Sequence, residues 1–219
     1  MIMKVALIGA TGFVGKTILK ELLDRGHTVT AISRHPGKLD LQHPHLKAVA
    51  GDVLKEEEVA SLVKGHDVVI SAYNPGWTNP NIYADFLAGS KAIQAGVKKS
   101  GVKRLIVIGG AGSLEIAPGR QLIDTPQFPA EYKPGASAAR DYLDILKNEK
   151  DLEWTFFSPA ILMNHETSGV RKGTYRLGLD NPVFDKDGKS VLSVEDLALA
   201  IVDEVENPRH IRQRFTAAY

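Results

Sequence analysis

The 219-residue sequence contains no cysteine. Disulfides, thiolate metal sites, iron–sulfur clusters and cysteine nucleophiles are therefore excluded. The chain also lacks a surplus of either charge, because 27 Lys and Arg residues stand against 26 Asp and Glu residues and leave a net charge of +1. This balance argues against a nucleic-acid partner and against binding to an anionic membrane.

Long apolar runs are absent as well. The first one, Val5 to Ile8, has only four residues and ends in a glycine, so it is too short for a signal-peptide core or a membrane span. With 43% hydrophobic and 24% charged residues, the composition is that of a globular protein. We expect a cytoplasmic protein with one domain over residues 1–219.

Short β-branched runs alternate with longer amphipathic stretches, which predicts βαβ units around a parallel sheet. The predicted strands are Lys4–Ile8, Thr28–Ser33, Leu46–Ala50, Asp67–Ala72, Arg104–Ile108 and Glu153–Phe157. The predicted helices are Phe13–Arg25, Glu56–Lys64, Asn81–Lys99, Ala136–Asn148 and Leu197–Val205, the last preceded by a Ser193 cap. This pattern is typical of a doubly wound α/β fold with helices on both faces of the sheet.

Two segments interrupt this alternation, Gly109 to Gly135 and Ser158 to Ser190. Within the second, Asp187-Gly188 has the composition of a hairpin turn. Both segments follow strands, on the side where open α/β sheets bind ligands. We therefore expect residues 158–190 to form a small excursion on the substrate side of the site.

A glycine-rich run, Gly9-x-x-Gly12-x-x-Gly15, follows the first predicted strand and leads into a helix. In this context Gly9 allows a sharp turn, Gly12 allows the backbone to approach a pyrophosphate, and Gly15 allows close packing of helix on sheet. The pattern predicts a Rossmann-type dinucleotide site.

The amides of Thr11, Phe13 and Val14 would then face the phosphates at the positive end of the helix dipole. Gly15-Lys16-Thr17 is not a Walker loop, because the required earlier glycine would fall at Ala10. A glycine turn that serves only as a tight connection is the alternative interpretation.

The end of the second strand indicates which dinucleotide binds. It reads Ser33-Arg34-His35, with no acid before Asp40 to accept the ribose hydroxyls of NAD. The guanidinium of Arg34 suits the 2′-phosphate of NADP(H), with Lys38 in support, so we expect NADP(H) rather than NAD(H). The alternative is an exposed arginine at a strand end.

Two further strand ends are candidates for cofactor contacts. Asp52, with Val53 beside it, is placed to accept a hydrogen bond from the adenine amino group, although it also suits the entry of the next helix. The backbone of Ala72, Tyr73 and Asn74 follows the fourth strand and is placed to line the nicotinamide ribose.

Together the glycine run, Arg34, Gly51-Asp52-Val53 and Ser71 to Pro75 resemble the atypical short-chain dehydrogenase/reductase superfamily. Within it, the chain is similar to the NAD(P)H-binding, NmrA-like group that includes flavin and biliverdin reductases and NADH-flavin reductases. The resemblance implies an NAD(P)H-dependent reductase that delivers hydride to a planar electron acceptor, a flavin, a quinone or a conjugated carbonyl. By position in this family, Ser158 and Pro159 would lie beside the nicotinamide.

The superfamily's catalytic Tyr-x-x-x-Lys pair is missing. Tyr142 and Lys147 are five residues apart, about 140° out of register on a helix. The remaining candidates for catalytic residues are Ser113, Tyr132 and Lys133, each placed to donate to a developing oxyanion. The alternatives are a serine that caps a loop and a surface tyrosine with its neighbouring lysine.

Two other functions remain open. A non-catalytic NAD(P)-binding sensor of the NmrA-like type would have a protein partner and would not need the missing pair. An epimerase or isomerase acting on a nucleotide sugar would need it. We expect no metal site, because His43 and His45 have no third ligand nearby and the segment beginning at Asp185 departs from a calcium loop.

Overall fold

The structure is a computed structural model that describes residues Met1–Tyr219. Its first half contains β1 (Lys4–Ile8), α1 (Phe13–Asp24), β2 (Thr28–Ser33), β3 (Leu46–Ala50), α2 (Glu56–Val63), β4 (Val68–Ser71), α3 (Ile82–Ser100) and β5 (Arg104–Ile108). Its second half contains β6 (Glu115–Ala117), β7 (Arg120–Gln121), α4 (Lys133–Leu146), β8 (Glu153–Ser158), β9 (Arg176–Gly178), α5 (Val194–Glu206) and β10 (Gln213–Ala218).

Eight strands form the main sheet in the order β3-β2-β1-β4-β5-β8-β10-β9. All neighbours pair in parallel except β9, which runs antiparallel to β10 at the edge. The chain order reverses between β1 and β4, and this is where doubly wound sheets bind ligands. The predicted Rossmann-type fold class is confirmed.

Two apolar layers cover the sheet. On β1, Val5 and Leu7 belong to one core cluster while Ala6 and Ile8 belong to the other, as the alternation of side chains along a strand requires. Helices α1 and α5 pack on the first face, and α2, α3 and α4 pack on the second. No helix is both long and apolar enough to cross a bilayer.

Strand β10 is the main addition to the predicted elements, and it joins β8 in parallel. Helix α4 begins at Lys133 rather than at Ala136, because Pro134 is tolerated in the first turn of a helix. The prediction of a hairpin at Asp187-Gly188 was wrong in one respect. The segment is a closed turn in which Asp185 accepts the amides of Asp187 and Lys189, and no strands flank it.

Candidate cofactor and substrate site

The glycine loop after β1 is shaped by two close backbone approaches. Gly9 has a φ of +83°, and a Cβ there would lie 2.5 Å from the carbonyl oxygen of Ala72, at the end of β4. A Cβ on Gly15 would lie 2.0 Å from the carbonyl oxygen of Gly9. Both positions therefore require glycine for the fold itself.

Gly12 differs from its two neighbours in the motif. A Cβ there would meet only the carbonyl oxygen of Gly9, at 3.4 Å, so the space in front of this residue is open. Gly12 caps α1, whose ladder starts with the bond from the Lys16 amide to the Gly12 carbonyl (2.9 Å). The amides of Phe13 and Val14 precede that ladder, and no side chain caps them. An open seat with free amides at a helix N-terminus fits the diphosphate of a dinucleotide.

Two cations without carboxylate partners lie at the end of β2. Arg34 and Lys38 are both exposed, and neither forms a salt bridge within the chain. A guanidinium in this state is available to a phosphate dianion, which it binds through paired hydrogen bonds.

The loop ends after β2, β3 and β4 converge near Tyr73. Burial raises the pKa of Tyr73, the charges of Asp85 and Asp52 raise it further, and the charge of Arg34 lowers it. The Tyr73 hydroxyl donates to the carbonyl oxygen of Asp85 (3.0 Å), and its ring stacks on Phe86 at a centroid distance of 6.2 Å. The side chain of Tyr73 is thus part of the α3 packing, and its loop backbone is what faces the site.

Asp52 has a structural role in the turn before α2. One of its carboxylate oxygens accepts the Leu54 amide (3.0 Å), and its own amide donates to Glu58 (3.1 Å). Its other carboxylate oxygen accepts no hydrogen bond within the chain, so the predicted adenine contact stays a prediction that this geometry permits. Val53 is buried.

Ala72 continues the β4 ladder, because its amide donates to the carbonyl oxygen of Ile8 (2.9 Å). Asn74 is exposed, and its side-chain oxygen accepts the Gly76 amide (2.7 Å). The side chain of Asn74 therefore shapes the loop after β4. The backbone of Ala72 and Tyr73 runs past Gly9, and its predicted contact with the nicotinamide ribose stays a prediction.

Arg214 on β10 forms hydrogen bonds with two of the predicted site residues. Its guanidinium donates to the hydroxyl oxygens of Ser113 (3.0 Å) and Ser158 (3.4 Å) and pairs with Asp180 (2.8 Å). Ser113 is 2% exposed, Ser158 is fully buried, and Pro159 is buried as well. The structure therefore places Ser113 in a buried polar cluster, away from the exposed position that a donor to substrate needs.

Tyr132 and Lys133 lie at the start of α4. Tyr132 is 46% exposed, and Lys133 is exposed and forms no salt bridge. The Tyr132 ring meets the edge of Trp77, from the loop after β4, at a centroid distance of 5.3 Å and an interplanar angle of 83°. Sequence reasoning missed Trp77, since nothing in the local pattern joins it to a residue 55 positions away.

Tyr142 is excluded as the acid of the superfamily. It is 1% exposed, its ring packs edge-on against Phe86, and burial raises its pKa strongly. Lys147 caps the C-terminus of α4, where it pairs with Asp144. Tyr142 is buried and Lys147 is exposed, so these two side chains do not meet, in line with their five-residue spacing.

A second contact missed by the sequence analysis covers the glycine loop. His165, in a short turn after β8, packs on the ring of Phe13 at a centroid distance of 4.0 Å. The turn is capped by Asn164, which accepts two backbone amides. Phe13 and Thr11 are half-buried. The excursion after β8 therefore reaches the glycine loop.

Asp196 on α5 anchors this excursion. It is fully buried, and its carboxylate accepts the amides of Lys172 (2.8 Å) and Gly173 (2.9 Å) and the hydroxyl of Tyr219. Burial alone would raise the pKa of Asp196, but these hydrogen bonds and that of Ser193 lower it overall. The ionised carboxylate thus fixes residues 172–173 against the N-terminus of α5.

Comparisons with known proteins agree with this geometry. An NAD(P)H-binding family model matches residues 9–208. The uncharacterised protein YwnB of Bacillus subtilis is 38% identical over 98% of this chain and 97% of its own.

Two crystal structures are similar to this chain over nearly its whole length. A protein of Bacteroides thetaiotaomicron provisionally named an epimerase has a TM-score of 0.92 and 46% identity, covering 100% of this chain and 98% of that one. A protein of Streptococcus pneumoniae provisionally named an NADH-flavin reductase has a TM-score of 0.84 and 35% identity, covering 99% of both chains. With the open glycine seat and the family match together, the chain belongs to the NAD(P)H-binding family of Rossmann-fold proteins.

Proposed function

We propose that this protein is an NADPH-dependent reductase that transfers hydride to a flavin, a quinone or a conjugated carbonyl compound. The observation that carries the proposal is the open seat at Gly12 together with the unpaired guanidinium of Arg34. The seat suits a diphosphate, and the guanidinium suits a 2′-phosphate. The Streptococcus pneumoniae relative supports a flavin as the acceptor class, since its provisional name is NADH-flavin reductase.

In this function, separate residues would bind the coenzyme and supply the proton. The amides of Phe13 and Val14 would bind the diphosphate, and Arg34 would select the phosphorylated ribose. When bound, the nicotinamide coenzyme supplies a hydride, which carries two electrons, and the acceptor takes up one proton to complete its reduction. Tyr132 is the exposed hydroxyl near the site, with Lys133 beside it, and we assign it the role of proton donor.

The acceptor class follows from the missing acid. Reduction of an isolated carbonyl places negative charge on one oxygen, and that charge calls for a positioned proton donor. Tyr142 cannot serve as this donor, because it is buried. Flavins, quinones and conjugated carbonyls spread the incoming charge and take a proton from solvent or from an exposed hydroxyl. An NADPH oxidation assay across a panel of these acceptors tests the proposal, and a flat response to all of them would overturn it.

A non-catalytic NAD(P)-binding sensor is the second candidate, and the burial of Tyr142 favours it. Such a protein would bind oxidised and reduced coenzyme without turnover and would change its association with a protein partner. Calorimetry with both coenzyme forms, combined with the acceptor panel, separates the two functions. An epimerase, suggested by the name of the Bacteroides thetaiotaomicron relative, ranks third because it needs the Tyr-x-x-x-Lys pair that this chain lacks.

A further inference from the structure

Trp77 and Tyr132 form an exposed aromatic pair. They are 56% and 46% exposed, yet they hold each other edge to face at 5.3 Å. Large aromatic side chains contribute most to packing when they are buried, so two adjacent rings left this open are unusual for a purely structural contact.

The Trp77 ring packs closely against a glycine of α4. A Cβ on Gly135, in the first turn of α4, would lie 2.8 Å from Cζ3 of Trp77 and 3.0 Å from the side chain of Ile82. Gly135 is buried, and glycine is a poor residue for a helix. Contact with the indole explains why glycine stands there. The indole is therefore fixed on one side while more than half of its surface faces solvent.

The pair comes from loops at the same edge of the sheet as the proposed coenzyme site. Its loop leaves the sheet at Ala72, whose carbonyl oxygen is the group that crowds Gly9, and reaches Trp77 five residues later. Tyr132 ends the excursion that follows β5, the neighbour of β4 in the sheet. Both rings thus come from loops at the carboxyl ends of central strands, where open α/β sheets bind ligands.

We propose that Trp77 and Tyr132 form an aromatic platform that binds the hydride acceptor by stacking, which selects planar conjugated rings. Near-perpendicular rings suit a flat ligand, since it stacks on one face while its edge meets the other ring. This inference rests on the proposed reductase function and deepens it. It gives Trp77 a role in acceptor binding and adds a ring contact to the proton-donor role of Tyr132.

Kinetic variants test the platform. With menadione and riboflavin as acceptors, W77A should raise the acceptor KM by about tenfold, as expected for the loss of one aromatic stacking contact, and W77F should have a smaller effect. G135A should also raise the KM, because the added methyl displaces the indole without removing it. The dissociation constant for NADPH should stay unchanged in all three. I211A, which trims an exposed apolar side chain outside the site, is the control.

Tyr132 allows the ring to be separated from the hydroxyl. Y132F keeps the ring, so it should leave the acceptor KM unchanged and lower kcat only through loss of the proton donor. Y132A should raise the KM. An equal rise in KM for both variants would show that the hydroxyl, rather than the ring, binds the acceptor and would overturn the role of Tyr132 in the platform.

Fluorescence gives a readout that does not need turnover. The chain has two tryptophans, and Trp154 is 3% exposed in the core. Riboflavin should quench the tryptophan fluorescence of wild type in a saturable way and that of W77F much less. The quenching that remains in W77F measures energy transfer from Trp154 to riboflavin. Equal quenching in both proteins, or an unchanged acceptor KM in W77A and G135A, would overturn the platform. A protein that oxidises no NADPH but shows the Trp77-dependent quenching would overturn the reductase function alone.

Discussion

The three glycines of the loop after β1 give the sharpest test of the site, because their surroundings differ. Gly9 and Gly15 are crowded by backbone atoms, whereas the space in front of Gly12 is open. Gly12→Ala should fold normally and lose the coenzyme. Gly15→Ala should lose the fold. The same methyl group is added in both cases, so the contrast depends only on what lies around each Cβ position.

The magnitudes follow from the contacts. At Gly15 the new Cβ lies 2.0 Å from a carbonyl oxygen, inside the distance that any side chain tolerates, and backbone must shift. We expect a loss of at least about 3 kcal/mol in unfolding free energy, at the upper end of overpacking costs. At Gly12 the φ of −79° and ψ of 170° suit any residue, and the nearest atom is 3.4 Å away. The expected change in stability is within about 1 kcal/mol, since the poorer cap is offset by a stiffer unfolded chain.

Coenzyme affinity, unlike stability, should be strongly affected by Gly12→Ala. The Gly12 methyl would occupy the space where a diphosphate approaches the amides of Phe13 and Val14, so we expect the dissociation constant for NADPH to rise at least about tenfold. Urea unfolding and calorimetry measure the two effects. Gly37→Ala, which adds a methyl with no atom within 4 Å, is the stability control. A Gly12→Ala protein that folds and binds NADPH as wild type does would refute the assignment of the diphosphate to this loop.

Three further outcomes are expected. Arg34→Glu should lower the preference for NADPH over NADH by about 1–3 kcal/mol in the ratio of dissociation constants, and an unchanged ratio would remove Arg34 from the site. Glu204 has a pKa lowered by His210 and Arg104 despite its burial, so its contribution to stability is present above about pH 4.5 and is lost as the pH falls through the lower folded-state value. Glu204→Gln should therefore lower Tm at neutral pH and lessen the further fall on acidification, and parallel Tm curves for the two proteins would contradict this. Asp196→Asn should cost about 1–3 kcal/mol and increase amide exchange at residues 172–173, whereas unchanged protection there would show that other contacts hold the excursion.

Much of the fold could be predicted because buried parallel strands have a strong signal. Runs such as Val5 to Ile8 and Val68 to Ile70 are apolar on both faces of the sheet, and each leads into a helix. Strand β10 gives a weaker signal. It carries Arg214 as its second residue and ends in Thr216-Ala-Ala, and its place in the sheet depends on partners far away in sequence. The edge strand β9 has only three residues and pairs through the same β10.

The candidate site divides in the same way between local and distant signals. The glycine loop is a local pattern, so its turn and its open seat follow from the sequence order of strand, glycines and helix. The contact between Trp77 and Tyr132, and that between His165 and Phe13, join residues more than 50 positions apart. No spacing rule relates residues this far apart in sequence, so neither of these two contacts could be predicted without the structure.

Arg214 shows what such a distant contact does for the site. It lies on the strand that the sequence did not reveal, and it binds Ser113 from the excursion after β5 and Asp180 from the excursion after β8. A guanidinium that is 6% exposed and donates to both segments must keep them in register, because loss of either partner leaves a buried donor unsatisfied. Ser113, predicted as a donor to substrate from its place after β5, therefore acts through Arg214. It helps to fix the two excursions, which in the proposed function would enclose the acceptor, and its effect on activity should follow their position rather than a proton transfer.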